Sequence, residues 1–492
     1  MDAETLSIYS VVQTNNKLVS GTVVTPGHRH AQVEFSRRLF LRQESSSCPY
    51  HVASVGIFTQ PDDAPRNYMK TLVANYGRIP EVWPIFKLKL DKPDSTRNLH
   101  WVEAEDYDPN AHLIYHRLPR GSQFEDLLDL LSQAHEVVLD RHLPLWQVHI
   151  VDGLPNKGFA VYSKIHHALV DGISGFKIIQ EILSNDPNKP LLSTTERPHR
   201  HKKPQTEESL ADNIKGALNG LARQSKALAE TSVLFGTYGL DYLLGRKDVP
   251  KLPFTAPRTI LNKKLGPKRR IIPCQLPIVE LKQIGHQYGG TLNDVVTAIC
   301  GSALRRYLSE QDQLPKKTLT AGMPVFIKSA ESEGGNNSLS FMICPFATDL
   351  EDPVERLKVI VKATTKGKKE LSALISEAHQ DLAVLSLVPF LVLNLTHTTH
   401  LAPPAFNAVV SNFPGPKEQL YLEGSRLEAL YPISIVADGM GLNITLISYQ
   451  DKLCISIVAA QENEPNIQNF GGMIEDAFQE LLATLKIPPT KS

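Results

Sequence analysis

The sequence predicts an α/β protein in two halves joined by a linker, on three observations. Strand-like and helix-like apolar runs alternate in both halves of the chain. A segment rich in Pro, Ser, Thr and charge separates them, and 492 residues suffice for two large domains plus a connector. Hydrophobic residues at 42% and charged residues at 21% are the composition of a chain that buries a sizeable core. Lys+Arg 52 against Asp+Glu 52 leaves no net charge, so no global cationic field points to a nucleic-acid partner and none is expected.

Residues 1–34 read as an N-terminal extension, polar and broken at Gly21, Pro26 and Gly27, with no assigned function. Acids precede its first apolar stretch, which is not the pattern of a secretory signal, so the expected compartment is the cytoplasm. The first domain is expected over 35–183. There Val52 to Phe58 reads as a strand and Glu125 to Leu139 carries leucines at helical spacing. The runs WQVHIVDGL and GFAVYSKIHH, separated by a Pro-Asn-Lys-Gly turn, predict an antiparallel hairpin. Residues 184–256 are the expected linker, with a long helix predicted from Leu210, Ile214, Leu218, Leu221 and Leu228.

Residues 257–492 form the second expected domain. Thr291 and Asp294 have capping-box spacing before Val295, Val296, Ile299, Ala303 and Leu304, which predicts a helix start. No short-period repeat occurs, which speaks against solenoids and propellers. The longest apolar run, Ala383 to Leu393, contains Pro389 and is far shorter than the ~20 residues of a membrane-spanning helix. Cys48, Cys274, Cys300, Cys344 and Cys454 are dispersed and lack C-x-x-C spacing, so neither a disulfide framework nor a cysteine zinc site is expected.

The chemistry concentrates in Gly158 to Phe176. Period-2 reading places Phe159, Val161, Ser163 and Ile165 on one strand face, sending His167 to that side and His166 to the other. Asp171-Gly172 then turns the chain into a helix predicted from Phe176, Ile178, Ile179 and Ile182. Diverging neighbours and one carboxylate make a poor first shell, so no metal is expected. Two readings remain: histidines satisfied within a strand end, with Asp171 capping a turn, or a general base whose loop Asp171 fixes. A neutral imidazole near pH 7 takes a proton from a hydroxyl, and strand alternation does not say which histidine does so. Ser174 lies where a nucleophile elbow would place it, but Phe176 stands in for the closing Gly. Neither a Walker loop nor G-x-G-x-x-G occurs, so nucleotide hydrolysis and hydride transfer find no support.

HHALVDG, His166 to Gly172, fits the H-H-x-x-x-D-G motif of the superfamily that includes chloramphenicol acetyltransferase and peptide-synthetase condensation domains. The wider chain resembles the bacterial wax ester synthase/acyl-CoA:diacylglycerol acyltransferase family from about Phe35 to Ile487. The resemblance rests on FSRRLFL, PLWQVHIVDGL, NDVVTA, GGNNSLSF, SNFPGP, LEALYPIS and GLNITLISY in that order. It implies two chloramphenicol acetyltransferase-like, mixed-sheet domains joined by a helical linker, with His167 in a channel between them.

The resemblance further implies that His167 is the catalytic base, with His166 beside it and Asp171 orienting the motif. Gly172, Asn293, Ser411 and Asn412 are the implied substrate-binding residues. Long-chain acyl-CoA would be a substrate rather than a cofactor, diacylglycerol or a long-chain fatty alcohol the acceptor, and a membrane or lipid-droplet surface the place of work. The alternative of another class is a catalytically weak lipid-binding or droplet-coating protein of the same fold. Two features stand apart. The family's S-P-x-D is replaced by Ser36 followed by Arg37 and Arg38, leaving the role of its acid open. The basic runs Arg197 to Lys203 and Lys263 to Arg270 read either as solvated surface or as sites for CoA phosphates and anionic headgroups.

Overall fold

The computed structural model of the protein describes residues 31–95, 97–170, 172–192, 229–328, 337–374 and 389–485. The strands among these residues, numbered along the chain, are β1 (Ala31–Gln32), β2 (His51–Thr59), β3 (Leu88–Leu90), β4 (His100–Glu103), β5 (Leu113–Arg117), β6 (Trp146–Leu154), β7 (Gly158–His166), β8 (Arg269–Pro277), β9 (Thr320–Lys328), β10 (Asn337–Pro345), β11 (Ala408–Phe413), β12 (Tyr421–Leu422), β13 (Ser425–Ile433), β14 (Leu442–Tyr449) and β15 (Lys452–Ala460). They form a six-stranded sheet ordered β12-β13-β2-β7-β6-β5, a second ordered β10-β9-β11-β14-β15-β8, and a small sheet β1-β4-β3. The α/β class with two mixed sheets is thus present, since each large sheet joins antiparallel and parallel neighbours.

Local sequence explains the elements that hold the site. The β6–β7 hairpin pairs Trp146 with Ile165 at one end and Leu154 with Gly158 at the other. Asn156 and Lys157 take positive φ in its turn, a conformation that Asn tolerates well. Gly153, at φ 99°, lies where the register shifts, and a Cβ there would meet the Leu118 carbonyl at 3.0 Å. Helix α1 spans Phe35–Gln43, and the leucine-patterned segment becomes α2, Phe124–Glu136, which buries Leu127 and Leu131. It stops short of Leu139 because Val137 turns extended and the buried Lys164 ammonium takes the Ala134 and Val137 carbonyls, at 2.9 and 2.8 Å. Helix α3, Gly172–Ile182, follows the histidines as expected.

In the second half, α4 (Leu292–Glu310) opens with the capping box of Thr291 and Asp294. With α6 (Phe470–Leu482), it packs Val295, Ile299, Ala303, Ile474 and Phe478 against Ile444, Leu446, Ile455 and Ile457 of the second sheet. Between them α5 spans Pro353–Ser372, N-capped by Asp352.

The break near residue 257 marks chain order rather than a sheet boundary. Strands β12 and β13, from the second half, complete the first sheet, with Leu430 opposite Gly56 and Ile433 opposite Ala53 of β2. Strand β8 docks on α2, its Arg269 and Ile271 amides donating to Glu136 and Ser132. Ile271, Ile447, Tyr449 and Val458 pack into the first half's core, so the contact between halves is apolar and continuous. The linker residues 193–228, with the predicted helix from Leu210 to Leu228 and the basic run at Arg197, lie outside the described residues. So does most of residues 1–34. No described helix is long and apolar enough to cross a membrane.

Candidate active site

Strand β7 ends on the paired histidines, and backbone hydrogen bonds hold both. His166 donates its N–H to the Leu145 carbonyl at 2.9 Å, and His167 to the Tyr50 carbonyl at 2.8 Å. The chain then folds back on His166, whose carbonyl accepts the amides of Leu169 and Val170 at 2.9 and 3.2 Å. The two side chains diverge, as strand alternation requires. His166 is fully buried, whereas His167 is half-buried with its ring 4.4 Å, centroid to centroid, from that of Phe40.

The ring nitrogens of His166 are both engaged. Its Nδ1 accepts the Ala168 amide at 2.9 Å, which puts the ring proton on Nε2, 3.2 Å from Glu44 Oε1. Glu44, the C-cap of α1, has a side chain only 2% exposed. Arg141 donates Nε and Nη2 to its Oε2 at 3.1 and 2.9 Å, and the Tyr50 amide donates to Oε1 at 3.3 Å. Burial opposes ionisation of this carboxyl, but the contacts with His166 and Arg141 outweigh it and hold the group below its ordinary value. The pair Glu44⁻ and Arg141⁺ therefore fixes the His166 ring. Sequence reading missed both residues, and no local spacing signals them, because they stand 97 positions apart.

Behind His166 the first sheet carries a buried polar layer. His51, its cross-strand neighbour, places Nε2 3.0 Å from the His135 carbonyl, and His135 Nδ1 lies 2.8 Å from Tyr162 Oη. His116 Nε2 and His149 Nδ1 are 3.0 Å apart. Burial, with the Lys164 charge adding to it, lowers His135 and His149 to about 3, so both are neutral at physiological pH. Burial also lowers Lys164 to about 8. Among the described residues no group of His, Cys, Asp and Glu is arranged to hold a metal ion.

The expected substrate residues fall into two places. Asn293, in the first turn of α4, accepts a hydrogen bond from the Asn412 side-chain amide, which ties β11 to that helix. Its neighbour Asp294 is structural: its carboxylate accepts from the Thr291 amide and hydroxyl at 2.7 and 2.8 Å and from Thr364 at 2.6 Å. Ser411 alternates to the opposite face of β11. That face carries Phe413, whose ring is 3.7 Å from where a Cβ on Gly172 would stand. Gly172 and Ser411 thus lie toward the contact between the halves. Asp171 lies outside the described residues. Ser174 is buried.

The basic run at Lys263 to Arg270 does not act as a unit. Lys263, Lys264 and Lys268 are exposed, but Arg269 is buried with its guanidinium on the carbonyls of Gly266, Lys268 and Ser47, and Arg270 pairs with Asp129. Two of the five cations are turned to internal partners, which corrects the expectation that the whole run faces phosphates or headgroups.

Comparison with known proteins adds the family. The family model of the wax ester synthase/diacylglycerol acyltransferase catalytic domain matches residues 36–296, and that of the WS/DGAT C-terminal domain matches residues 335–482. The chain is 34% identical over 449 residues to O-acyltransferase WSD of Acinetobacter baylyi, covering 90% of this chain and 94% of that relative. The solved wax ester synthase/diacylglycerol acyltransferase from Marinobacter aquaeolei superposes with a TM-score of 0.72 at 28% identity, covering 93% of this chain and all of that one. Trichothecene 15-O-acetyltransferase from Fusarium sporotrichioides shares the fold, with a TM-score of 0.56 at 12% identity over 96% of this chain and 98% of the other.

Proposed function

Because the chain belongs to the wax ester synthase/diacylglycerol acyltransferase family, we propose that it moves long-chain acyl groups from acyl-CoA to the hydroxyl of diacylglycerol or a fatty alcohol, with His167 as general base. The products are triacylglycerol or wax ester. The His167 imidazole takes the hydroxyl proton as the acceptor oxygen attacks the thioester carbonyl. The C–O bond forms, the tetrahedral oxyanion collapses, and the C–S bond breaks. The proton held by His167 passes to the CoA thiolate. The step needs no covalent acyl-enzyme and treats acyl-CoA as a substrate, without a cofactor.

The observation that carries this reading is the division of labour between the histidines. His166 is buried with Nδ1 on the Ala168 amide and Nε2 toward Glu44, so its lone pair is committed to the backbone. His167, half-buried against Phe40, is the less buried member of the pair. Asp171 is assigned the orienting role that the motif implies. Gly172 and Ser411 are assigned to substrate contact between the halves, and Asn293 with Asn412 to the α4 side. Acceptors of this class are nearly insoluble, so the enzyme is assigned to the cytoplasmic face of a membrane or lipid droplet, bound peripherally.

The test is release of free CoA thiol by purified protein. Release should require both acyl-CoA and an acceptor alcohol or diacylglycerol, and a panel of acceptors with one acyl-CoA ranks the two classes. A folded protein that binds lipid but releases no thiol with any acceptor would favour the droplet-coating alternative instead.

A further inference from the structure

We infer that Arg37 is a positioning residue for the catalytic loop, so that α1 serves as the template on which His166 and His167 are held; this rests on the acyl-transfer reading above. Arg37 stands where the family's S-P-x-D pattern is lost, and the structure gives it a defined task. It is 8% exposed, and its Nη1 donates to the carbonyls of Ala168 and Leu169 at 3.0 and 2.7 Å, across more than 130 positions of sequence. These are the two carbonyls that immediately follow His167. The amides of the same turn point the other way, at His166: Ala168 to its Nδ1, and Leu169 and Val170 to its carbonyl. The loop's donors are thus satisfied by His166 and two of its acceptors by Arg37.

Helix periodicity makes this one device. Arg37, Phe40 and Glu44 follow one another at spacings of three and four, which places them on one helical face. That face presents a cation to the loop carbonyls, an aromatic ring to His167 and an anion to His166. Glu34, one turn before Arg37, lies 3.5 Å from the Arg37 Nε. One guanidinium nitrogen, Nη1, serves both carbonyls, and the planar group on its buried stem sets the angle from which it does so. Loss of the guanidinium leaves the loop carbonyls without this donor and frees the backbone that aims His167. A displacement of about 1 Å at a general base costs on the order of 100-fold.

The experiment measures CoA-thiol release with saturating acyl-CoA and a fatty alcohol for the wild type, Arg37→Ala, Arg37→Lys and His167→Ala. Arg37→Ala should lower kcat by about 10- to 100-fold with KM for both substrates within about twofold, because the arginine aims the base and touches neither substrate. Arg37→Lys should recover part of that loss, and added guanidinium at millimolar concentration should raise kcat of Arg37→Ala but not of His167→Ala. Should Arg37→Ala fail to fold, Arg37→Lys carries the test through its KM-against-kcat split. Wild-type kcat in the variants, or a raised KM with unchanged kcat, overturns the positioning role while leaving the acyl-transfer reading intact. A wild type without thiol release, or with release that His167→Ala retains, instead overturns that reading.

Discussion

Between α2 and the first sheet lie buried polar residues, His135 of the helix and His51, Tyr162, Lys164 and His166 of the sheet, whereas beneath α4 and α6 the second sheet buries Ile444, Leu446, Ile455 and Ile457. Both sheets have six strands and mix antiparallel with parallel pairs, one parallel pair in the first and two in the second, but the contrast that bears on the site lies in the side chains. Alternate residues of β7, Tyr162, Lys164 and His166, lead directly to the proposed base; alternate residues of β15, Leu453, Ile455 and Ile457, lead to no polar group. An apolar layer suffices to hold a sheet and helix together, since ~25 cal/mol per Å² of burial needs no particular partner. A buried polar layer fixes one arrangement through its hydrogen bonds, here the contacts of His135 with His51 and Tyr162 and of Lys164 with two carbonyls. The first sheet therefore orients chemistry, and the second supplies a rigid wall against which β11 and its polar residues are set.

The strongest way to break this contrast is at the base itself. His167→Ala should lose ~100- to 10,000-fold in turnover while its thermal midpoint stays near that of the wild type, since the residue is only half-buried. Near-normal turnover of the folded variant would remove the first sheet's claim to the chemistry.

Next in size are paired substitutions, one in each sheet. Glu44→Ala strips the anion from Arg141 and from His166 Nε2, and breaking a buried pair by removing one partner costs about 3–5 kcal/mol; Arg141 is part-exposed, so the lower end is expected. Ile457→Ala in the second sheet should cost about 2–5 kcal/mol through its cavity. Denaturant midpoints should fall in both, but turnover per folded molecule should collapse only in Glu44→Ala. Equal turnover losses would mean that the two layers play the same part.

Much of this architecture is legible in the sequence where the cause is local. The β6–β7 hairpin announces itself by a turn of Pro155, Asn156 and Lys157 between apolar runs, α2 by its leucines, and α4 by the cap of Thr291 and Asp294. The family motif locates both histidines, but residue pattern alone does not choose between them, because the choice depends on Glu44 and on a backbone turn at Ala168. Pairing of β13 with β2 joins residues 425–433 to 51–59, a register no short window contains. The basic run misleads for the same reason: Ser47 and Asp129, which draw Arg269 and Arg270 inward, stand far away in the chain.

Acid sharpens the comparison further. In the folded chain His135 and His149 stay neutral down to about pH 3, while in the unfolded chain they take up protons below about 6.5. Between those values the unfolded state binds more protons, so stability falls as pH falls from about 6.5 and levels off below about 3. The second sheet has no histidine in the equivalent layer among its described residues. Amide exchange at pH 7 and pH 4.5, corrected for intrinsic rates, should therefore show protection lost in α2 and β7 before β14 and β15. Uniform loss across both sheets would place the acid sensitivity elsewhere.

The smallest expected effect probes the polar tie between β11 of the second sheet and α4. Asn412 donates to Asn293 across the gap between β11 and α4, a neutral amide pair whose net worth is about 1 kcal/mol. Asn412→Ala should cost roughly that in stability, and the double variant with Asn293→Ala should show a coupling of about 0.5–1.5 kcal/mol, because either single change already frees the other side chain. Ser411, one residue away but on the opposite strand face with Phe413, has no part in that tie. Ser411→Ala should therefore leave stability within about 0.5 kcal/mol of the wild type and act on the KM for substrate instead. If Asn412→Ala raised KM with no coupling to Asn293, the amide pair would be a substrate contact rather than a strut. Asn412 would then join Ser411 as a residue through which the second sheet recognises substrate.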